Sequence, residues 1–121
     1  MAVFLNGYDI VGWAYASASG GIVNTTPKTI KAASSIGARH YITSVQLYAD
    51  DLTNATEFVI RDGSVGTVLW RSKITAEGFV QLVNITFPTA IKGSENTLLE
   101  VALLTDPVAG AVYCNVQGYS A

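Results

Sequence analysis

The sequence predicts an all-β protein, a single jelly-roll β-sandwich of about eight antiparallel strands. No stretch sustains the i, i+3, i+4 apolar spacing with end caps that a helix requires. Strand-like runs of about six to ten residues recur instead, each closed by Gly, Pro, Asn, Asp or Ser. The chain has 121 residues, which suits one domain with one core. About eight such strands in a chain of this length are what a two-sheet jelly roll needs. An immunoglobulin-like sandwich is the nearest alternative. Its Cys…Trp…Cys spacing is missing, because Cys114 is the only cysteine.

Strands are expected over residues 13–19, 28–33, 39–48, 56–61, 67–74, 79–87, 97–104 and 111–119. Gly20-Gly21 and Pro27 separate the first pair, and Asp50-Asp51-Leu52-Thr53-Asn54 is a polar turn before Thr56. Asp62-Gly63-Ser64-Val65-Gly66 lies between two β-rich runs and reads as a hairpin, since glycine supplies φ > 0 where the chain reverses. Thr75-Ala76-Glu77-Gly78 reads as a further turn after the next strand, and the segment from Asp106-Pro107 to Gly110 makes the last connection. Residues 1–15 form an N-terminal arm or a first strand, and residues 16–121 form the jelly-roll domain.

Half of the residues are apolar and 13% are charged, against about 25% charged in an ordinary soluble domain. So much apolar surface on a small domain calls for a cover. No run approaches the about 20 apolar residues of a membrane-spanning helix, so a partner chain is the expected cover and a membrane is not. The strand faces point the same way. In 79–87, Phe79, Gln81, Val83, Ile85 and Phe87 form one mostly apolar face, and on the other Val80 and Leu82 are apolar too before Asn84 and Thr86 turn polar. In 97–104, Leu99, Val101 and Leu103 alternate with Leu98, Glu100, Ala102 and Leu104. A strand apolar on both faces needs something beyond its own core. The net charge is −2, and the seven Lys and Arg residues are dispersed, so no basic field is available for nucleic acid. Residues 1–11 hold no Lys or Arg and hence no signal-peptide n-region, which predicts a chain made and folded in the cytosol.

Catalysis needs acids, bases, nucleophiles or metals that converge, and the sequence offers few. His40 is the only histidine; at a strand start beside Arg39 it is expected at the surface or an interface, without a catalytic role. Asp50 and Asp51 are adjacent and read as a solvated turn, with a weak Ca²⁺ site as the other use for such oxygen ligands. No zinc spacing or phosphate-binding loop occurs. The expectation is therefore no enzyme, no cofactor, no metal and no small-molecule substrate. Cys114, in an apolar run, is expected to be a buried small hydrophobe. Asn24-Thr25-Thr26, Asn54-Ala55-Thr56 and Asn84-Ile85-Thr86 match the glycosylation acceptor pattern by chance in a Thr-rich β protein. Trp13, Tyr15 and Trp70 could form a sugar-stacking platform, but the alternation of Trp70 with Val68, Ser72 and Ile74 suits a core or interface anchor better.

A family resemblance enters through the second half of the chain. Tyr41-Ile42-Thr43-Ser44-Val45-Gln46-Leu47 precedes a polar turn, followed by Thr56-Glu57-Phe58-Val59-Ile60-Arg61-Asp62-Gly63 and Val68-Leu69-Trp70-Arg71. Phe87-Pro88-Thr89-Ala90-Ile91-Lys92-Gly93-Ser94, Asn96-Thr97-Leu98-Leu99-Glu100-Val101 and Val112-Tyr113-Cys114-Asn115-Val116-Gln117-Gly118-Tyr119 complete the series. In order and spacing this resembles small structural proteins of tailed bacteriophages and prophages that have a TNF-like jelly roll. The resemblance implies a homotrimeric decoration or cement protein, assembled in the host cytoplasm and bound to the major capsid protein on the outer surface of the virion. Trp70, Phe79, Phe87, Leu99, Val101 and Tyr113 are then the expected core or subunit-interface residues, and Val3, Phe4, Leu5, Tyr8 and Trp13 the candidates for docking on the capsid. The alternative on the same fold is a receptor- or glycan-binding module of a phage tail or fibre.

Overall fold

The computed structural model describes residues 3–5, 8–75 and 81–121, with side chains over 10–75 and 82–121. Phe79 and the turn residues Ala76, Glu77 and Gly78 lie outside the described residues. Among the described residues there is no helix, and nine strands form two antiparallel sheets. They are β1 (Val3–Leu5), β2 (Tyr8–Ala16), β3 (Lys28–Lys31), β4 (His40–Ala49), β5 (Thr56–Asp62), β6 (Thr67–Ile74), β7 (Gln81–Lys92), β8 (Leu99–Leu103) and β9 (Val112–Ser120). One sheet has the order β1-β2-β9-β4-β7 and the other β3-β8-β5-β6. Apart from the β1–β2 and β5–β6 connections, each link carries the chain from one sheet to the other.

The alternation of side chains explains why the sheets meet. On β4, Val45, Leu47 and Ala49 are buried while Gln46 and Tyr48 are exposed. On β9, Val112, Cys114 and Val116 are buried and alternate with Tyr113, Asn115 and Gln117. These residues meet Phe58, Ile60, Ile74, Leu99, Val101 and Leu103 of the second sheet in one core. Each fully buried aliphatic or aromatic side chain there contributes about 1.5–3 kcal/mol.

β3 and β8 are shorter than the expected 28–33 and 97–104, and two strands depart further. The first long strand is Tyr8–Ala16, not 13–19, because β9 extends to Ser120 and offers ladder partners back to Val11. β7 does not stop at residue 87 but runs through Pro88 to Lys92. Proline is tolerated there because β7 is an edge strand, where one side of the backbone needs no donor. At the β5–β6 hairpin, a Cβ on Gly66 would overlap the Asp62 carbonyl, so the turn requires glycine at that position. Val65 just before it has φ 51°, a strained value for a β-branched residue.

β8 corrects one inference from the sequence. All five of its residues are buried, but the face opposite the core needs no second subunit to cover it. Glu100 on that face lies in register with Arg61 and forms an ion pair at 2.6 Å. Its Oε2 also accepts the backbone N–H of Val65 at 2.9 Å. The neighbouring Val59 and Ala102, in register with each other, are buried within the chain as well. Glu100→Ala would leave Arg61 buried without its counter-charge and free the hairpin amide. A loss of about 3–5 kcal/mol in urea unfolding is expected; a loss below about 1 kcal/mol would mean that the pair is solvated.

Cys114 is buried, and burial pushes its thiol up from 9.0 to about 12. In the unfolded chain the thiol loses its proton first as pH rises. The stability linked to the neutral thiol is thus whole below pH 9.0 and lost between there and about pH 12. The stability difference between wild type and Cys114→Ala should shrink across that window by up to about 1.4 kcal/mol per pH unit. Urea titrations at pH 8 and pH 10.5 read the change. A constant difference would show the thiol to be solvated.

Candidate functional site

The outer face of the five-stranded sheet is set by the registers around β9. Tyr113 lies opposite Tyr48, Asn115 opposite Gln46, and Tyr119 opposite Tyr41, while Gln117 faces Ser44. Across β4, Leu82, Asn84 and Thr86 of β7 continue these rows. Across β9, Ala16, Ala14 and Gly12 of β2 close them. Among the described residues of these rows the only charge is Lys92, at the corner opposite Tyr41. The outer side of the smaller sheet contrasts sharply, with Glu57 paired to Arg71 at 3.3 Å and Arg61 to Glu100.

The uncharged face is polar without being ionic. Tyr41 and Tyr119 stack with ring centroids 4.7 Å apart, and Tyr48 and Tyr113 lie tilted at 6.1 Å. Ser44 Oγ donates to Gln117 Oε1 at 3.1 Å, and Thr43 Oγ1 donates to the Gln117 carbonyl at 3.1 Å. At the end holding Tyr48 and Tyr113 a shallow groove of about 290 Å³ opens, lined also by Leu82, Gln46, Asn84 and Asn115. Leu82 is 72% exposed and Tyr48 41%, an apolar investment in water that the fold does not use.

The expected site residues do not come together in one place. Leu99 and Val101 are fully buried core. Trp70 and Phe87 pack at the margin of that core, with Trp70 edge-on to Phe58 at 6.1 Å and to Phe87 at 6.4 Å. Tyr113 belongs to the outer face and its groove. Of the docking candidates, Val3, Phe4 and Leu5 lie in β1 and Tyr8 opens β2; their side chains are outside the described ones. Trp13 is half-buried against the core and edge-on to His40 at 6.1 Å. Tyr15 packs against the core too, and burial pushes its phenol up, with Cys114 adding to the effect. Trp13, Tyr15 and Trp70 therefore do not form an outward sugar platform. The outer face instead carries two aromatic pairs, Tyr41 with Tyr119 and Tyr48 with Tyr113, each from strands far apart in sequence.

His40 is not at the surface. It is 1% exposed, with Nδ1 at 2.6 Å from Ser120 Oγ and Nε2 at 2.6 Å from the Ala32 carbonyl. A carbonyl only accepts, so Nε2 carries a proton and donates to Ala32. The ring thereby ties the start of β4 to the end of β9 and to the chain leaving β3. Asp50 and Asp51 lie in the β4–β5 connection. Among the described residues no group of three or more His, Cys, Asp or Glu side chains is placed to share a metal ion.

No protein-family model matches this chain, and no curated protein matches it.

His40→Ala should cost about 2–3 kcal/mol in urea unfolding, because it removes the ring that bonds Ser120 to the Ala32 carbonyl and opens a hole beside Trp13. Recovery of more than half of that loss in His40→Gln, which can still donate, would support the bonding assignment. Equal losses in the two variants would refute it.

Proposed function

We propose that this chain is a jelly roll that assembles as a homotrimer with the outer face of β2-β9-β4-β7 turned toward the threefold axis. As a trimer it decorates the outside of a tailed-phage capsid, tying neighbouring major capsid protein subunits together and stabilising the shell. The strand order supports the jelly-roll reading: β2-β9-β4-β7 against β3-β8-β5-β6, with links that alternate between sheets, is the pattern of interlocked Greek keys. The observation that carries the assembly is the broad face of tyrosine, amide and small side chains whose one charge among the described residues sits at a corner. Charge depletion with tyrosine enrichment marks the centre of protein interfaces. Because each copy presents the same neutral face, three can converge without like-charge repulsion. Once one footprint of such a trimer is seated on a shell, the other two bind at high effective concentration.

A second reading, a glycan-binding module of a tail or fibre, draws on the groove between Tyr48 and Tyr113 with its three amide side chains. It uses the same face, so the two readings exclude each other in solution. Light scattering separates them. A trimer of the 12.8 kDa chain at micromolar concentration is expected, and Asn115→Asp, nearly isosteric but charged at the middle of the face, should convert it to monomer. A wild-type monomer at that concentration that binds neutral oligosaccharides would favour the module instead. Hundreds of copies per virion by gel would support the shell location; a handful would overturn it.

A further inference from the structure

Each sheet ends in two edge strands, and three of the four are guarded. β1 is three residues long. β3 has four residues, with Lys28 and Lys31 at its ends and a bulge between Thr29 and Lys31. β6 carries Arg71 and Lys73. Short length, bulges and basic side chains are how sheets prevent an edge from pairing with another chain. β7 has none of these over its first half. It has twelve residues, and no charge occurs from Gln81 to Ile91. Along one side Gln81–Thr86 is laddered to β4 without interruption. On the other side no strand pairs with it among the described residues. Ile85 is still 36% exposed there.

We propose that the free edge of β7 pairs antiparallel with β7 of a second copy, in a register centred on Asn84, so that two five-stranded sheets become one. The register follows from symmetry. A twofold axis that yields one continuous sheet stands normal to it and keeps every side chain on its own face. Facing residues must then share a face, and the two-residue period of a strand makes the axis pass through a residue. Asn84 is the middle of the seven residues from Gln81 to Phe87 that precede Pro88. In this register Val83 lies opposite Ile85 on the core side and covers its exposed surface. Leu82 lies opposite Thr86 on the outer side. Asn84 meets its own copy, which an amide tolerates because it both donates and accepts. No pair sets like charges against each other. The contact uses the backbone edge, not the flat face, and so stands or falls apart from the trimer.

Cross-linking tests the register on the full chain. The native Cys114 is buried and does not react. Asn84→Cys should form a covalent dimer under mild oxidation, since directly facing strand residues lie within disulfide reach. Val83→Cys mixed with Ile85→Cys should yield the heterodimer about tenfold faster than either yields a homodimer. These two positions point to the core side, so contact through the outer face cannot join them. Far-UV circular dichroism establishes that each variant is folded, and a misfolded cysteine variant is replaced by Leu82→Cys mixed with Thr86→Cys in the Asn115→Asp background, where the outer-face contact is broken and the same register should still cross-link. Folded variants that stay monomeric on oxidising gels at millimolar protein would overturn the proposal. So would an Asn84→Cys dimer without the Val83–Ile85 heterodimer, which would signify face-to-face contact.

Discussion

β9 is hydrogen-bonded to β2 along one side and to β4 along the other, so its register sets both surfaces of the larger sheet at once. Val112, Cys114 and Val116 enter the core, and the intervening Tyr113, Asn115, Gln117 and Tyr119 fall on the outer face. A slip by one residue would put tyrosines and amides into the core. Gly118 holds the register at its far end: a Cβ there would overlap the Tyr41 carbonyl and stand 2.6 Å from the Trp13 indole. His40 fixes the same end by joining Ser120 to Ala32. Core, seam and outer face thus rest on one pairing.

The smaller sheet is finished differently. Its second face is closed inside the chain by Arg61 and Glu100, with Val65 N–H bound to the same carboxylate. A buried pair of this kind adds little net stability over an apolar substitute, but removing half of it is costly. It fixes where the β5–β6 hairpin sits and leaves that side of the molecule ionic. Among the described residues, the larger sheet's outer face has no comparable closure. One surface is thus completed by its own ion pairs and the other carries, among the described residues, one charge, Lys92, at its corner.

How much of this was legible in the sequence depends on the range of the interactions. Turn residues act locally, so Gly63 with Gly66, and Asp106 with Pro107, located their connections well. The expected strand over 67–74 coincides with β6. The burial of His40 could not be read locally, because Ser120 lies 80 residues away and Arg39 beside it suggests solvent. The double-sided burial of β8 resembled an interface in one dimension, and only the register with Arg61 on β5 explains it. The neutral face was hidden for a similar reason. It interleaves alternate residues of three segments, around Tyr41–Tyr48, Leu82–Thr86 and Tyr113–Tyr119, each of which looks ordinary alone.

The chemistry of that face narrows what can cover it. A dry interface penalises every buried polar group left without a partner by about 1–3 kcal/mol. Gln46, Asn84, Asn115 and Gln117 would each incur that cost against a purely apolar partner. The Gln117 Oε1 already accepts from Ser44 Oγ, whereas Asn115 Nδ2 reaches Gln46 Oε1 at only 3.5 Å. An amide carries both donors and an acceptor, so a second copy of the same face can return what the first one needs. A lysine- or carboxylate-rich partner could supply only one kind of group and would bring an uncompensated charge into a region whose one charge among the described residues, Lys92, lies at its corner. For the proposed assembly, the scarcity of charge on this face matters more than the presence of tyrosine.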